Sequence, residues 1–341
     1  MNLLTRKPKD TYAAAVIGAG AWGTALAHSM ARAGHKVLLW DRDESVAQDI
    51  LQTGENRRRH PGIALASGVT PTSTLAQCTA EADVLLIALP SEHNEAMAEK
   101  LAPLLKKNHT LVVTSKGFRE KDGAFLTTLW QEKMAKGSNI AVLTGPTFAR
   151  EMMEEKITTM LVASPHAPTR AKLAMLLESP FVRLYESDDI IGAQIGGALK
   201  NVLAIGSGIV DGLEMGNNAR AALLTRGLVE IGRYIQAKGG EPQTAYGLAG
   251  MGDLLLTATS QLSRNYRFGY LVGKGTPVTE ARLKTGTVEG ILAARITTLQ
   301  AQTLGIDLAI ISAIDGILHG DVTPLQVIDY LMQRPRQKEF I

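Results

Sequence analysis

A short apolar run followed by three closely spaced glycines restricts the fold of this chain more than any other stretch. Residues 12–17 are rich in β-forming side chains, residues 18–23 read GAGAWG, and an amphipathic helical pattern follows. Strand, G-x-G-x-x-G and helix in this order are typical of a dinucleotide-binding unit. Gly18 permits the tight turn, Gly20 lets backbone N–H groups approach a pyrophosphate, and Gly23 lets the helix pack on the strand.

The end of the second predicted strand carries the residues that would read the adenosine ribose. Residues 36–40 form this strand, and Asp41, Arg42 and Asp43 follow it. An acidic residue here accepts a hydrogen bond from the ribose 2′-OH and favours NAD, whereas an arginine favours the 2′-phosphate of NADP. Both types are present, so the choice of cofactor stays open. Surface charges at the end of a strand explain these residues equally well.

Further β-rich runs predict an open, mostly parallel α/β sheet. Helical segments such as residues 94–105 alternate with them, which is the pattern of a doubly wound fold. Ligands of such sheets bind at the carboxyl ends of strands, and Lys116 in the SKG loop is therefore placed for an anion. Thr147 lies in the turn GPTFA, which can hold a small polar ligand. His93, in the loop after residues 84–89, is either a polar contact at the cofactor crevice or a solvated side chain, which is more usual for a lone loop histidine. The runs are residues 84–89, 111–114, 140–144, 159–163 and 182–185.

Long helical patterns replace the strands from about residue 187 onward. We therefore expect an α/β N-terminal Rossmann-type doubly wound sheet over residues 1–187 and an all-α C-terminal domain over residues 188–341. Residues 190–210 are almost wholly apolar or small except for Lys200, and these small neighbours leave room for a ligand. A buried ammonium needs compensation, so Lys200 is either paired and functional or extends to solvent from a core helix. A membrane span is disfavoured by five glycines and the central charge.

Three polar groups in the helical half are candidates for a binding site. Asp253 opens an apolar run and is either a helix N-cap or a site residue. Residues 263–265 read SRN, which suits a phosphate but also an ordinary exposed turn. Glu289 is either a first-turn acid that stabilises a helix dipole or a ligand contact. We find no metal-ligand cluster and predict no metal site.

The composition excludes several classes of protein. A chain of 341 residues with 45% hydrophobic and 20% charged content can bury a sizeable core. Its formal net charge is only +3, and the arginine run 57–59 looks like a loop, so we predict no nucleic-acid partner. The single cysteine, Cys78, rules out an intramolecular disulfide and fits the cytoplasm. The first ten residues lack the apolar core of a signal peptide, so we expect a frayed tail, no export and no stable membrane insertion.

Seven motifs together resemble the bacterial NAD(P)-dependent glycerol-3-phosphate dehydrogenase family, and the resemblance spans residues 12–335. It implies a Rossmann domain followed by a helical substrate domain. It also implies reversible reduction of dihydroxyacetone phosphate to sn-glycerol 3-phosphate with NADPH or NADH, for glycerophospholipid synthesis, by a homodimer. The motifs are GAGAWGTALA, SKG, GPTFA, GGALKNVLAI, AGMGDLLLT, SRN and VEG, in that order.

The resemblance also implies a role for individual residues. Lys200 matches the general acid/base of the family, and Lys116 matches a residue that touches both cofactor and substrate. The implied substrate contacts are Lys116, Gly145, Thr147, Lys200, Asp253, Ser263, Arg264 and Asn265. The implied cofactor contacts, added to Gly18, Gly20 and Gly23, are Ala21, Trp22, Arg42, Lys116, Ala149, Arg264, Val288 and Glu289.

Two positions depart from the family pattern, and two other functions remain as alternatives. Family members often have serine where Ala21 stands, and many have glycine or alanine where Asp41 stands, which again leaves NADPH or NADH open. One alternative is a 3-hydroxyacid or ketopantoate-type reductase of the same architecture, against which Lys200 and the SRN run argue. The other is a dinucleotide sensor that lost catalysis, in which we would expect the lysines or the phosphate-binding residues to be replaced. Lys116, Lys200, Asp253 and Arg264 are all present.

Overall fold

The computed structural model describes residues 14–135, 138–336 and 338–339. The N-terminal tail and the first two residues of the first predicted strand lie outside the described residues. The chain divides into two compact units. The sheet unit consists of Met1–Ser115, Leu126–Leu143 and Thr147–Asp188. The helical unit consists of Lys116–Phe125, Thr144–Pro146 and Asp189–Ile341.

An eight-stranded sheet forms the centre of the first unit. Its strands are β1 Ala14–Ile17, β2 Val37–Trp40, β3 Val69–Thr72, β4 Val84–Ile87, β5 Thr110–Val113, β6 Asn139–Thr144, β7 Thr158–Ala163 and β8 Val182–Ser187. Their spatial order is β3-β2-β1-β4-β5-β6-β7-β8. The pairs β1–β2, β1–β4, β2–β3, β4–β5, β5–β6 and β7–β8 are parallel. The first six strands therefore have the order of a doubly wound dinucleotide fold, which confirms the predicted fold class.

Apolar strands and short helices build this unit. The strands β1, β2 and β4 read AAVI, VLLW and VLLI, and all their residues are buried, as expected for parallel strands covered on both faces. The helices that follow them are α1 Ala21–Arg32, α2 Glu44–Thr53, α3 Leu75–Glu81, α4 Asn94–Leu101, α5 Leu126–Lys133, α6 Ala149–Met153 and α7 Ala167–Leu177.

The sequence pattern missed one strand and overextended one helix. The edge strand β3 reads VTPT, and a proline with two threonines does not form an apolar run, although proline is tolerated at a sheet edge. The helix predicted over residues 94–105 ends at Leu101 and continues as a 3₁₀ turn, Ala102–Leu104, with Pro103 as its second residue. Each strand that was predicted is present, with ends that differ by a residue or two.

A long buried helix organises the second unit. The helices are α8 Ile190–Gly212, α9 Gly216–Ala237, α10 Asp253–Ala258, α11 Arg264–Gly273, α12 Val278–Thr285, α13 Glu289–Leu304, α14 Ala309–His319 and α15 Pro324–Gln333. α8 packs against α9, α10, α11 and α13. Among the described residues, α8 is the one helix long and apolar enough to cross a membrane, yet 89% of its most apolar window is buried inside the protein. It is therefore the core helix of this unit.

Several glycines of α8 serve helix packing and not ligand space. A Cβ on Gly208 would lie 2.1 Å from the carbonyl oxygen of Tyr266, and one on Gly212 would lie 2.5 Å from that of Tyr270. α11 therefore packs directly on the α8 backbone at these two positions. The expectation that the small neighbours of Lys200 on this helix leave room for a ligand is wrong at Gly208, because protein backbone fills the space there.

Candidate functional site

Each glycine of the GAGAWG turn has a separate structural reason. Gly18 has φ +119°, and a Cβ there would lie 2.6 Å from the carbonyl oxygen of Ala88. A Cβ on Gly23 would lie 1.9 Å from the carbonyl oxygen of Gly18, so only glycine lets α1 pack this closely. A Cβ on Gly20 would meet no protein atom within 4 Å. The turn is therefore closed on the protein side and open at Gly20, which suits close approach of a ligand to the backbone.

The N-terminus of α1 is available for an anion. Its N-cap, Gly20, supplies no side-chain hydrogen bond, and the first turn contains no acidic residue. Ala21 is exposed and Trp22 is half-buried. Free N–H groups and the positive end of the helix dipole are the features that bind a pyrophosphate, so this turn fits the phosphates of a dinucleotide.

Two side chains from residues 55–66 hold this turn in place. Asn56 Nδ2 donates to the carbonyl oxygen of Ala19 at 3.0 Å and to Thr24 Oγ1 at 2.9 Å. His60 Nε2 lies 2.9 Å from the carbonyl oxygen of Ala21, and burial lowers the pKa of His60, so the neutral ring donates this hydrogen bond. Sequence reasoning missed both residues because they belong to a loop without periodicity.

The acidic residues after β2, Asp41 and Asp43, accept local hydrogen bonds, whereas Arg42 takes no part in them. Asp43 caps α2 by accepting from the backbone N–H of Ser45 at 3.0 Å, and it also accepts from Arg58 at 2.8 Å. Asp41 Oδ1 accepts from the backbone N–H of Asp43 at 2.9 Å. Arg42 is exposed, and its guanidinium makes no hydrogen bond or ion pair with any part of the chain that the structure describes. Arg42 is thus the one of the three that is free to meet a phosphate.

A buried charge cluster lies in the helical unit. Lys200 Nζ donates to Asp253 Oδ1 at 3.0 Å and to Thr257 Oγ1 at 2.7 Å. Lys116 Nζ donates to the other carboxylate oxygen of Asp253. The exposed fractions of the three charged side chains are 8% for Lys200, 1% for Asp253 and 20% for Lys116. Two ammonium groups therefore share one buried carboxylate, and Lys116 is the most accessible of the three.

This cluster decides two interpretations that the sequence left open. Lys200 is buried and paired, so the interpretation that it extends from a core helix to solvent is wrong. Asp253 is the first residue of α10, whose N-cap is Gly252, so the interpretation of Asp253 as an N-cap is wrong too. Thr257 was not predicted, although its spacing of four residues from Asp253 places the two side chains on one face of a helix.

The pKa values of the cluster follow from burial opposed by charge. Burial, with a smaller contribution from the positive charge of Lys116, lowers the pKa of Lys200 to about 8, although Asp253 and Glu289 oppose the change. Burial would raise the pKa of Asp253, but the charges and hydrogen bonds of Lys116 and Lys200 outweigh it and hold that pKa below its usual value. Asp253 is therefore ionised near pH 7, while Lys200 can change its protonation state close to that pH.

A network of two asparagines joins the SRN run to the start of α13. Asn265 Nδ2 donates to Asn201 Oδ1 at 2.9 Å, and Asn265 Oδ1 accepts from the backbone N–H of Gly290 at 3.1 Å. Asn201 Nδ2 in turn donates to Glu289 at 3.5 Å. Val288 is the N-cap of α13, and its side chain is buried. Asn201 was not predicted, although it directly follows Lys200.

The other two residues of the SRN run differ in exposure. Ser263 is buried and caps α11 by accepting from the backbone N–H of Tyr266 at 3.2 Å. Arg264 is exposed at the first position of that helix. A buried hydroxyl beside an exposed guanidinium at a helix N-terminus is suited to an anion such as a phosphate ester.

The turn GPTFA contributes residues to both units. Gly145, with φ +134°, belongs to the helical unit together with Thr144 and Pro146. Thr147 is half-buried in the sheet unit, and Ala149 begins α6, whose N-cap Phe148 makes no side-chain hydrogen bond.

Two family models match the chain. The N-terminal model of NAD-dependent glycerol-3-phosphate dehydrogenase covers residues 13–169, and the C-terminal model covers residues 189–329. A glycerol-3-phosphate dehydrogenase [NAD(P)+] of Xanthomonas oryzae is 40% identical over 332 residues, which is 97% of each chain. One of Sinorhizobium fredii is 43% identical over 325 residues, 95% of this chain and 96% of that relative. The crystal structure of glycerol-3-phosphate dehydrogenase from Coxiella burnetii superposes with a TM-score of 0.88 at 34% identity, covering 95% of this chain and 99% of that one.

Proposed function

The chain belongs to the NAD-dependent glycerol-3-phosphate dehydrogenase family, and we propose that it reversibly reduces dihydroxyacetone phosphate to sn-glycerol 3-phosphate. The enzyme is an oxidoreductase that uses NADPH or NADH. Its product supplies glycerophospholipid synthesis. The sheet unit provides the dinucleotide-binding residues, and the helical unit provides the residues for substrate binding and catalysis.

The buried cluster of Lys200, Asp253 and Lys116 is the observation that carries this proposal. Reduction of a ketone requires a hydride at the carbonyl carbon and a proton at its oxygen, and a preorganised cation stabilises the developing alkoxide. The nicotinamide of the bound cofactor supplies the hydride. An ammonium has three N–H groups, and Lys200 directs one to Asp253 and one to Thr257, so the third remains for the ketone oxygen.

The protonation states of Lys200 serve the two directions of the reaction. With a pKa of about 8, the side chain is mostly an ammonium at pH 7 and donates the proton during ketone reduction. In the reverse direction the neutral amine accepts the proton of the alcohol. Asp253 holds the amine in place in both states, and Lys116 adds a second positive charge for the oxygen anion.

The substrate phosphate would be held by the exposed Arg264 guanidinium. Ser263 and Asn265 flank it at the start of α11, and the buried hydroxyl and amide limit the directions from which an anion can approach. Lys116, with its partly accessible ammonium, is suited to a further contact with the substrate. Gly145 and Thr147 belong to a polar turn that can accept the remaining hydroxyl or carbonyl groups.

The dinucleotide would be bound through the GAGAWG turn. Gly20 leaves the backbone open, and the N–H groups of Ala21 and Trp22 lie at the uncapped N-terminus of α1. Because Ala21 has no hydroxyl, the phosphate contact there is made by the backbone alone. Arg42 is available for a 2′-phosphate. Ala149, Val288 and Glu289 remain further proposed contacts for the cofactor.

Initial rates of cofactor oxidation test this function. NADPH and NADH are each oxidised with dihydroxyacetone phosphate, with unphosphorylated dihydroxyacetone, or with a 2-keto acid. Turnover of the phosphorylated ketone alone is the expected result. Activity on the keto acid would favour a related reductase, and tight dinucleotide binding without any turnover would favour a sensor.

Oligomeric state and cellular location complete the proposal. We expect a homodimer because the family resemblance implies one. We expect a cytoplasmic location because the single cysteine, Cys78, is free and buried, where desolvation raises the pKa of its thiol to about 12. A neutral buried thiol is a poor nucleophile and does not require an oxidising compartment. Light scattering at several protein concentrations measures the oligomeric state directly.

A further inference from the structure

The segment that carries Lys116 is a closed turn within the helical unit. We call residues 116–125 the Lys116 segment. Arg119 N–H donates to the carbonyl oxygen of Ala124 at 2.9 Å, Gly123 N–H donates to that of Arg119 at 2.9 Å, and Phe118 pairs with Phe125. Phe118 is 2% exposed and belongs to the core of the helices. These contacts tie the segment together, and Lys116 lies two residues from the buried Phe118.

Gln300 on α13 binds Gly123, which we call the tip of this segment. Its Nε2 donates to the carbonyl oxygen of Gly123 at 3.0 Å. Its Oε1 accepts from Tyr234 Oη at 2.5 Å and from Lys238 Nζ at 3.0 Å. An ammonium has only donors, so the oxygen of the Gln300 amide must face Lys238 and its N–H₂ group must face Gly123. Burial raises the pKa of Tyr234, which keeps its hydroxyl protonated as a donor.

The tip also fits α13 without spare room. Gly123 has φ +68°, and a Cβ there would lie 2.5 Å from Gln300 Nε2 and 2.8 Å from Ile296 Cγ2. The ammonium of Lys238 lies 5.6 Å from the centroid of the Phe125 ring, which adds a cation–π contact beside the hydrogen bond. Hydrogen bonding, shape and a cation–π contact thus locate the tip on the same surface of α13 and α9.

We propose that Gln300 is a positioning residue, which holds the Lys116 segment on α13 and thereby keeps Lys116 against Asp253. The role of Lys116 in the reaction rests on the proposed function. Release of the tip would let Lys116 withdraw from the shared carboxylate. The groups that face Lys200 are Asp253, Lys116 and Glu289, and loss of the nearby positive charge would raise the pKa of Lys200.

Gln300→Glu is the variant that breaks the contact between Gln300 and Gly123. The carboxylate still accepts from Tyr234 and Lys238, but it places a second acceptor oxygen against the Gly123 carbonyl, and two acceptors repel. Gly123→Ala breaks the same contact from the segment side, because its Cβ would meet Gln300. Tyr234→Phe is the matched control, since it removes one hydrogen bond to Gln300 and leaves the bond between Gln300 and Gly123.

Labelling of Lys116 by an amine-acylating reagent reports its position without using activity. Peptide mass spectrometry measures the acylation rate of Lys116 relative to Lys156, whose side chain is 57% exposed in the sheet unit. We expect faster labelling of Lys116 in Gln300→Glu and Gly123→Ala, and wild-type labelling in Tyr234→Phe. We also expect kcat/KM for dihydroxyacetone phosphate to fall about tenfold in the first two variants, with the midpoint of the pH profile moved upward.

Two results would overturn the proposal. One is unchanged labelling of Lys116 in both Gln300→Glu and Gly123→Ala. The other is faster labelling of Lys116 in these variants while kcat/KM and the midpoint of the pH profile stay at wild-type values. If the wild-type enzyme does not reduce dihydroxyacetone phosphate, the proposed function fails, while labelling still decides whether Gln300 positions Lys116. A fall in melting temperature shared equally by Tyr234→Phe and Gln300→Glu, with unchanged labelling, would show a purely structural residue.

Discussion

Lys200 and Asp253 lie on different helices, and 3.0 Å separates the ammonium nitrogen of one from a carboxylate oxygen of the other. Both side chains are buried, and the second carboxylate oxygen is occupied by Lys116. The three side chains Lys200, Lys116 and Asp253 together therefore have a net positive charge. A carbonyl oxygen that becomes negative during reduction would meet this excess positive charge, which is the electrostatic basis of the predictions that follow.

Replacement of Lys200 by methionine removes the proposed proton donor and preserves most of the side-chain volume. We expect turnover to fall by about 100-fold or more, the usual contribution of a general acid/base. Titration of NADPH fluorescence should give a dissociation constant close to that of the wild type. Near-normal turnover would remove the assignment of Lys200 as the proton donor.

The pH dependence of the rate follows from the lowered pKa of Lys200. Ketone reduction needs the ammonium, so kcat/KM for dihydroxyacetone phosphate should be level below pH 8 and fall about tenfold per pH unit above it. Oxidation of glycerol 3-phosphate needs the neutral amine, so its kcat/KM should rise with pH and become level above the same midpoint. Profiles measured in both directions check this, and midpoints near 10.5 in both would contradict the lowered pKa.

Asp253→Asn tests whether the Asp253 carboxylate opposes the effect of burial on the pKa of Lys200. The substitution removes the carboxylate that raises the pKa of Lys200, so the midpoint of the reduction profile should move below pH 8. It also leaves a buried ammonium without its counter-charge, which should lower the free energy of unfolding at pH 7 by about 3 kcal/mol. Urea denaturation followed by circular dichroism measures the second effect. A midpoint that moves upward would show that Asp253 does not face Lys200 during catalysis.

The glycines of the nucleotide turn allow folding to be separated from binding. Gly20→Ala adds a methyl group that meets no protein atom, so the free energy of unfolding should change by less than about 0.5 kcal/mol. Dinucleotide binding should weaken about tenfold, because the methyl group would occupy the space proposed for the pyrophosphate. Gly23→Ala should instead cost about 3 kcal/mol of stability, since its Cβ overlaps the Gly18 carbonyl. Thermal unfolding and calorimetric titration of the two variants provide the comparison.

Arg42→Ala tests cofactor preference. The neighbouring Asp41 and Asp43 are engaged in local hydrogen bonds, whereas Arg42 is exposed and free to pair with a 2′-phosphate. We therefore expect the KM for NADPH to rise about tenfold or more, with little change for NADH. Steady-state kinetics with each cofactor measures the ratio, and equal losses with both would exclude recognition of the 2′-phosphate by Arg42.

The alternation of apolar strands and helices was enough to predict the sheet, because parallel strands buried on both faces leave a strong sequence pattern. β3 was missed, since an edge strand with a proline carries no such pattern. Lys200 was identifiable because it interrupts an apolar helix. Asn56 and His60 were not, because nothing in a loop sequence indicates which backbone carbonyl a side chain will reach.

The position of the Lys116 segment was equally inaccessible from sequence. One change of character near residue 187 predicts two domains, but nothing in the sequence indicates that residues 116–125 and 144–146 belong to the helical unit. Their assignment depends on contacts with residues far along the chain, such as that between Gly123 and Gln300. Lys116 and Lys200 could each be proposed as site residues, whereas their common carboxylate became evident only from the structure.

The glycine contacts between α8 and α11 fix the distance between these two helices. Where Gly208 and Gly212 meet the α11 backbone, the spacing of the two helices is set by main-chain atoms, which have no alternative rotamers. Lys200 lies on one of these helices, and Arg264 begins the other. The distance between the proposed proton donor and the proposed phosphate-binding residue is thus set by the backbone, and substrates of a different carbon length would have to adapt to it.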